Sequence, residues 1–150
     1  MSDATFAAVA GAKEAIAVLQ ATLLRLETDT KALGDAVARF DHEAVLGLSL
    51  RNERTSQQAE VLEGLAEDAI GIAHAAPGGR NAIDADLVAL IADARRIGAL
   101  RARTAILIEK ARSFAAAHHR ALLPSTTATA YGRSARAVVD TRFSSVRTAG

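Results

Sequence analysis

The first forty residues carry a seven-residue repeat of apolar side chains. An apolar residue recurs alternately every three and four positions, which places one continuous stripe along a helix. The stripe consists of Val9, Ala12, Ile16, Leu19, Leu23, Leu26, Leu33, Val37 and Phe40, with Thr30 as its single polar interruption. Only other helices can cover such a stripe along its whole length. The repeat therefore predicts a helix that packs against helices.

Capping residues divide the chain into its first two helices. Ser2 or Asp3 can accept hydrogen bonds from the opening turn of the first helix, which is expected to run to about Phe40. Asp41 can cap a second helix in the same way, and Glu43 adds negative charge to its first turn. The sequence thus predicts two long helices joined by a short junction.

A strong internal break separates the second helix from a third. Proline followed by two glycines, Pro77-Gly78-Gly79, cannot continue a helix and readily forms a turn. We expect Asn81 to cap the third helix, which ends near Leu123. The prediction is an all-α fold of three long antiparallel helices, with a helical bundle at 1–123 and a flexible tail at 124–150.

Composition agrees with helices and limits the possible functions. Aromatic residues make up 3% of the chain, proline occurs twice, and cysteine is absent, so disulfides and thiolate metal sites are excluded. The N-terminus has no signal-peptide pattern, and no run of about eighteen apolar residues is free of charge. We expect a cytoplasmic protein without stable membrane insertion.

Charge is distributed unevenly along the chain. Residues 1–79 hold 6 basic and 12 acidic side chains, whereas residues 80–123 hold 8 and 4 and residues 124–150 hold 4 and 1. An acidic first half and a basic second half favour a chain that folds back on itself, although exposed pairs are individually weak. The basic helical part contains one aromatic residue, Phe114, so nucleic-acid binding is not expected.

The residues that could perform chemistry are few and scattered. His118 and His119 are adjacent and point about 100° apart on a helix, so they cannot share a metal ion, and His118 is expected to be partly buried. Gly78-Gly79-Arg80 precedes a helix but lacks the phosphate-loop pattern and a preceding strand. We therefore predict no enzyme activity, no metal and no cofactor.

Short motifs resemble those of the FlgN-type flagellar export chaperones. They are Leu23-Leu24-x-Leu26-Glu27, the junction Phe40–Leu46 (with Phe40 where the family commonly has glycine), Glu60–Leu65 and Ala130-Tyr131-Gly132-Arg133. The resemblance implies a cytosolic all-helical chaperone that holds hook-filament junction proteins before type III export. It further implies that the third helix offers an apolar groove to client helices and that Tyr131 contacts the export gate.

The third helix has a wide apolar stripe, which favours contact with an amphipathic client helix. The residues predicted to contact it are Ile97, Leu100, Leu107, Ile108 and Phe114, and an internal core position is an equally good interpretation of each. Tyr131 is a lone aromatic in a basic tail and is predicted to anchor a short interaction motif. We expect a monomer or weak dimer. The alternative is a self-assembling coiled-coil protein that pairs through the seam of its first helix.

Overall fold

Three long helices make up nearly all of the chain that the structure describes. In the computed structural model, which describes residues 2–123, these are α1 (Asp3–Ala38), α2 (His42–Ala75) and α3 (Gly79–Leu122). No strand occurs within these described residues. The prediction of an all-α fold with three long helices is confirmed.

The chain divides into two units, Met1–Arg112 and Ser113–Gly150. The helical bundle belongs to the first unit, and the end of α3 belongs to the second. The predicted tail, including Tyr131, lies outside the described residues. Its flexibility and its boundary after Leu123 stay predictions.

Cross-helix contacts set the direction of the helices within the first unit. Thr30 of α1 accepts a hydrogen bond from Asn52 of α2 at 2.8 Å, near the end of one helix and the start of the next. Two ion pairs join α1 to α3 in increasing order along both helices, Lys13–Asp86 at 3.7 Å and Glu27–Arg96 at 2.8 Å. Consecutive helices are therefore antiparallel, and α1 and α3 run in the same direction.

The predicted caps of the first two helices are present. Ser2 accepts from the backbone N–H of Thr5 at 3.3 Å, and Asp41 accepts from that of Ala44 at 3.1 Å. Each side chain satisfies one of the N–H groups that an opening turn leaves without a helical partner. Both predictions of an N-cap are confirmed.

The junction between α1 and α2 places a phenylalanine in an unusual backbone conformation. Phe40 has φ of 56°, its N–H bonds to the Val37 carbonyl, and the Asp41 N–H bonds to the Ala36 carbonyl. This is the Schellman pattern, whose left-handed position is usually glycine. The structure thus places Phe40 in a left-handed conformation that costs an ordinary residue more than glycine.

The turn between α2 and α3 leads directly into α3, which begins three residues earlier than an N-cap at Asn81 predicts. Gly78 has φ of 73°, which favours glycine, and the Gly79 N–H bonds to the Ala76 carbonyl at 3.0 Å. A Cβ at Gly79 would overlap the carbonyl oxygen of Ala73. Asn81 consequently lies inside α3, and the prediction that it caps this helix is wrong.

The α1 stripe forms the centre of an apolar core. The core consists of Val9, Ala12, Ile16 and Leu19 of α1, Ala59, Ala66 and Ala73 of α2, and Ile83 and Leu90 of α3. Ile16 and Ile83 are among the largest fully buried side chains. Because the chain itself covers this part of the stripe, self-pairing through the first-helix seam would have to displace α2 or α3.

A second group of buried side chains is polar. We call it the polar layer: Glu27, Asp29, Thr30, Asn52 and Thr55, each at most 8% exposed. Asn52 donates to Thr30, and Thr55 donates to Asp29 at 3.4 Å. Every buried side-chain nitrogen or oxygen of the described residues has a hydrogen-bond partner. The layer links α1 to α2 through specific pairs of atoms.

By length and composition alone, α1 could cross a membrane. It contains an eighteen-residue window of mean hydropathy 1.4, of which 28% is buried. A core helix of a soluble bundle passes the same test, and α1 supplies core residues such as Ile16. The expectation of no stable membrane insertion stays a prediction.

Candidate protein-binding groove

An apolar groove opens between the three helices of the first unit. Its volume is about 250 Å³. Leu19 and Leu23 of α1 line it together with Ala59, Glu63, Ala66, Glu67 and Ile70 of α2 and Leu90, Ile91 and Ala94 of α3. We call this set the groove. Most of its lining is apolar, so it is suited to apolar side chains.

The groove exists because small side chains occupy the facing surface of α2. Ala59 and Ala66 lie seven residues apart, which is two helical turns on one face. Leu62, on the same side of α2, is partly buried against the core. A larger residue at either alanine would occupy space that is now open. The local alanines therefore determine where the surface is concave.

Two carboxylates lie along the α2 side of the groove. Glu63 and Glu67 are spaced i, i+4, so they are neighbours on one face of the helix. Both are exposed, and neither forms an ion pair with another residue of 2–123. The groove thus combines an apolar lining with negative charge at one edge, which would attract a basic group of a bound segment.

The residues predicted from sequence to contact a client lie outside this groove. Ile97 is 2% exposed and belongs to the interior in this conformation. Leu100 and Ile108 are half-buried, whereas Leu107 is 38% exposed. None of these residues lines the groove. Of the residues predicted to contact a client, Leu107 is therefore the most exposed in the first unit.

Phe114 belongs to the second unit, whose described part is entirely exposed. Its side chain is 61% exposed and its ring stacks on that of His118, with ring centroids 6.2 Å apart. Leu122 and Leu123 are also exposed. His118 is itself exposed, so the prediction that it is partly buried is wrong. The segment offers aromatic and aliphatic surface along one stretch of helix.

Sequence reasoning missed the residues that line the groove. Leu19 and Leu23 were predicted as part of the α1 stripe, and the α3 residues that line the groove precede Ile97, the first residue predicted to contact a client. The available signal was the small size of Ala59 and Ala66 opposite these larger side chains. Recognising it requires knowing which faces of α1, α2 and α3 meet, and periodicity alone does not supply that.

Electrostatic interactions are concentrated beside the core in the polar layer. The Glu27 carboxylate accepts hydrogen bonds from Lys31 and Arg96, each at 2.8 Å. The hydrogen bond from Lys31, helped by the charge of Arg96, lowers the pKa of Glu27 below its ordinary value. The pKa of Arg96 is raised, first by its hydrogen bond to Asp93 and then by the charge of Glu27. These groups are matched ion-pair partners across α1 and α3.

Within residues 2–123, no group of three or more histidine, aspartate or glutamate side chains could hold a metal ion. Glu27 and Arg96, whose pKa values are shifted, face each other as an ion pair.

Comparison with known proteins yields no relative. No family model, no curated protein and no solved structure matches this chain.

Proposed function

We propose that this protein is a cytoplasmic chaperone that holds an amphipathic helix of a client protein. The groove between α1, α2 and α3 is the observation that carries this proposal. Client side chains spaced along one helical face would enter the groove as anchors, in the way that helix-in-groove complexes use residues at i, i+3, i+4 and i+7.

The size and lining of the groove support an occupant of this kind. Sites for small molecules and cofactors usually contain a few converging polar groups. The groove has about 250 Å³ and is lined mainly by leucine, isoleucine and alanine. Its polar groups, Glu63 and Glu67, lie along one wall. Such a site accepts apolar anchors and adds a preference for a client with basic residues beside them.

Exposed apolar residues of α3 outside the groove offer further surface to a client. Leu107 in the first unit and Phe114 in the second are both exposed large side chains. The proposal assigns Leu107 of the first unit to the client surface, with Ile97 supporting α3 from within. Phe114 of the second unit is a separate candidate contact.

The identity of the client comes from the sequence motifs. Their similarity to the FlgN-type chaperones supports hook-filament junction proteins as clients and type III export as the destination. In this proposal Tyr131 binds the export gate after the client has been captured. Client capture and gate binding would thus be separate functions of separate parts of the chain.

A matched pair of substitutions on α3 tests client capture. Ile91→Asp places a charge in the groove, whereas Val88→Asp places one at an exposed α3 position that does not line it. We expect Ile91→Asp to weaken binding of a hook-filament junction protein by roughly a hundredfold, because a buried anchor would face an unpaired charge. Titration calorimetry with the full chain measures this, and circular dichroism checks that both variants remain helical.

Further variants distinguish the parts of the proposal. Leu107→Asp and Phe114→Asp report on the α3 surface, and Tyr131→Ala is expected to keep client affinity while losing binding to the export gate. Equal client affinity in the wild type, Ile91→Asp, Leu107→Asp and Phe114→Asp would contradict client capture. No measurable binding of any hook-filament junction protein by the wild type would contradict the named client.

A further inference from the structure

The outer face of α2 carries large apolar side chains that the bundle does not use. Leu50, Val61, Leu65 and Ile72 are 52%, 66%, 58% and 63% exposed. At 100° per residue, these four residues share one side of the helix, opposite to the buried Ala59. The α2 helix is therefore apolar on two sides, and its own bundle covers one of them.

Five residues on this side of α2 are arranged symmetrically about Val61, whereas Leu65 has Gln57 as its counterpart. Leu50 and Ile72 lie eleven residues before and after Val61, and both are large and apolar. Arg54 and Asp68 lie seven residues before and after it and carry opposite charges. The spacings of seven and eleven keep every one of these residues on the same helical stripe. We call these five residues the outer stripe.

This symmetry makes the outer stripe complementary to a second copy of itself. When two identical helices lie antiparallel with a two-fold axis at Val61, Leu50 of each copy faces Ile72 of the other. Arg54 of each copy then faces Asp68 of the other. A parallel pairing would instead place like charges together at both positions. An isologous contact of this kind uses one surface patch twice and closes as a dimer.

Both charged residues are available for such a contact. Arg54 and Asp68 are exposed, and neither forms an ion pair within the part of the chain that the structure describes. By contrast, Arg51, three residues before Arg54, pairs with Asp29 at 3.0 Å inside the bundle. The charges of the outer stripe thus have no competing partner among residues 2–123.

We propose that the outer stripe of α2 is a homodimer interface in which two copies of this chain pair antiparallel about Val61. The contact extends about 16 Å to each side of the axis, since eleven residues of helix span that length. Its apolar residues supply the attraction, and its two Arg54–Asp68 pairs fix the direction and the register. This surface lies on the opposite side of α2 from Ala59, which lines the groove, so client capture and dimer formation use different surfaces.

Sedimentation equilibrium of the full chain across the micromolar range tests the dimer. We expect a reversible dimer in the wild type and a roughly hundredfold or greater loss of affinity in Val61→Glu, where two carboxylates would meet at the axis. Val18→Glu is the matched control, because Val18 is an exposed valine of α1 at 45% exposure. Both positions are exposed, so circular dichroism is expected to show intact folding.

Charge exchange tests the register. Arg54→Asp and Asp68→Arg each place like charges opposite one another twice in the dimer, and each is expected to weaken it about tenfold. The double variant Arg54→Asp/Asp68→Arg restores opposite charges and is expected to regain most of the wild-type affinity. If the double variant loses as much dimer affinity as the two single variants combined, the proposed register is overturned.

Cysteine cross-linking tests the direction, and the chain has no cysteine of its own. Under mild oxidation, Val61→Cys and the double variant Leu50→Cys/Ile72→Cys are expected to form covalent dimers, whereas Ile72→Cys alone is not. Positions 50 and 72 are too far apart on one helix to bridge within a chain. Cross-linking of Ile72→Cys alone would show a parallel pair and overturn the proposal. A wild type that stays monomeric throughout would overturn it as well, and would leave the outer stripe to an amphipathic helix of another protein.

Discussion

The bundle interior has two contrasting regions, the apolar core and the polar layer. The apolar core surrounds Val9–Leu19 of α1 and excludes water from aliphatic side chains of all three helices. The polar layer lies farther along α1, where Glu27, Asp29 and Thr30 are buried with Asn52 and Thr55. Burial of aliphatic surface is favourable in almost any register of the helices. Hydrogen bonds between particular atoms form in only one register. The comparison teaches that stability and register have different sources in this chain.

The polar layer fixes the register because a slip of α2 would break its pairs. Asn52 would lose its bond to Thr30, and Asp29 would lose its bonds to Arg51 and Thr55. A buried polar group without a partner costs about 1–3 kcal/mol. A single buried asparagine specifies pairing in coiled coils by the same reasoning. The apolar core alone would allow neighbouring registers with similar burial.

The largest effect is expected from a truncation in the apolar core. Ile16 is 1% exposed, so Ile16→Ala removes buried methyl groups and leaves a cavity. We expect the free energy of unfolding to fall by about 2–5 kcal/mol, measured by urea denaturation. Val18→Ala, at an exposed position two residues away, is the control and is expected to have little effect. Equal losses in the two variants would show that burial in the apolar core does not dominate stability.

The apolar core was largely predictable from sequence, because it follows from local periodicity. Val9, Ala12, Ile16 and Leu19 were predicted as a stripe, and all four are buried. The caps at Ser2 and Asp41 were predictable for a similar reason, since each acts on residues within three positions. The start of α3 was missed because Pro77-Gly78 reverses the chain without needing Asn81 as a cap.

An intermediate effect is expected from the polar layer. Asn52→Ala removes the donor to Thr30 and leaves space in the interior, so we expect a loss of about 1–3 kcal/mol of unfolding free energy. The double variant Thr30→Val/Asn52→Leu replaces both partners by apolar groups and is expected to lose less than Asn52→Ala alone. Urea denaturation measures both variants.

We expect the double variant Thr30→Val/Asn52→Leu to fix the register of its helices less specifically. Its helices can slip, which we expect to appear as broadened methyl signals in NMR spectra. Sharp signals and a full loss of stability in the double variant would show that the polar layer contributes stability as the apolar core does, and the contrast between the two regions would be broken.

The polar layer and the groove were less predictable because both depend on pairs distant in sequence. Nothing in the local sequence marks Asn52 as buried, and its partner Thr30 lies 22 residues away. The groove forms because Ala59 and Ala66 are small and face larger residues such as Leu19 and Leu90. Which residues face each other is known only once the helices are packed. Ile97 was equally compatible with core and groove by its spacing, and its burial follows from which side of α3 faces α1.

The smallest effect is expected from the titration of Glu27, which belongs to the polar layer and pairs with Arg96 of α3. Its folded pKa lies below the ordinary glutamate value, so its ion pairs stabilise the fold above that value. The contribution is lost as the pH falls through the lowered folded pKa, because the unfolded chain binds the proton more readily.

We therefore expect the unfolding free energy of the wild type to decline from neutral to acidic pH more steeply than that of Glu27→Gln. The difference is modest because Lys31 and Arg96 remain more than half exposed and water screens their charges. Chemical denaturation at a series of pH values measures both slopes. Glu14→Gln is the control, since Glu14 is exposed and forms no ion pair with residues 2–123. Coincident slopes for the wild type and Glu27→Gln would mean that the ion pairs of Glu27 add no measurable stability.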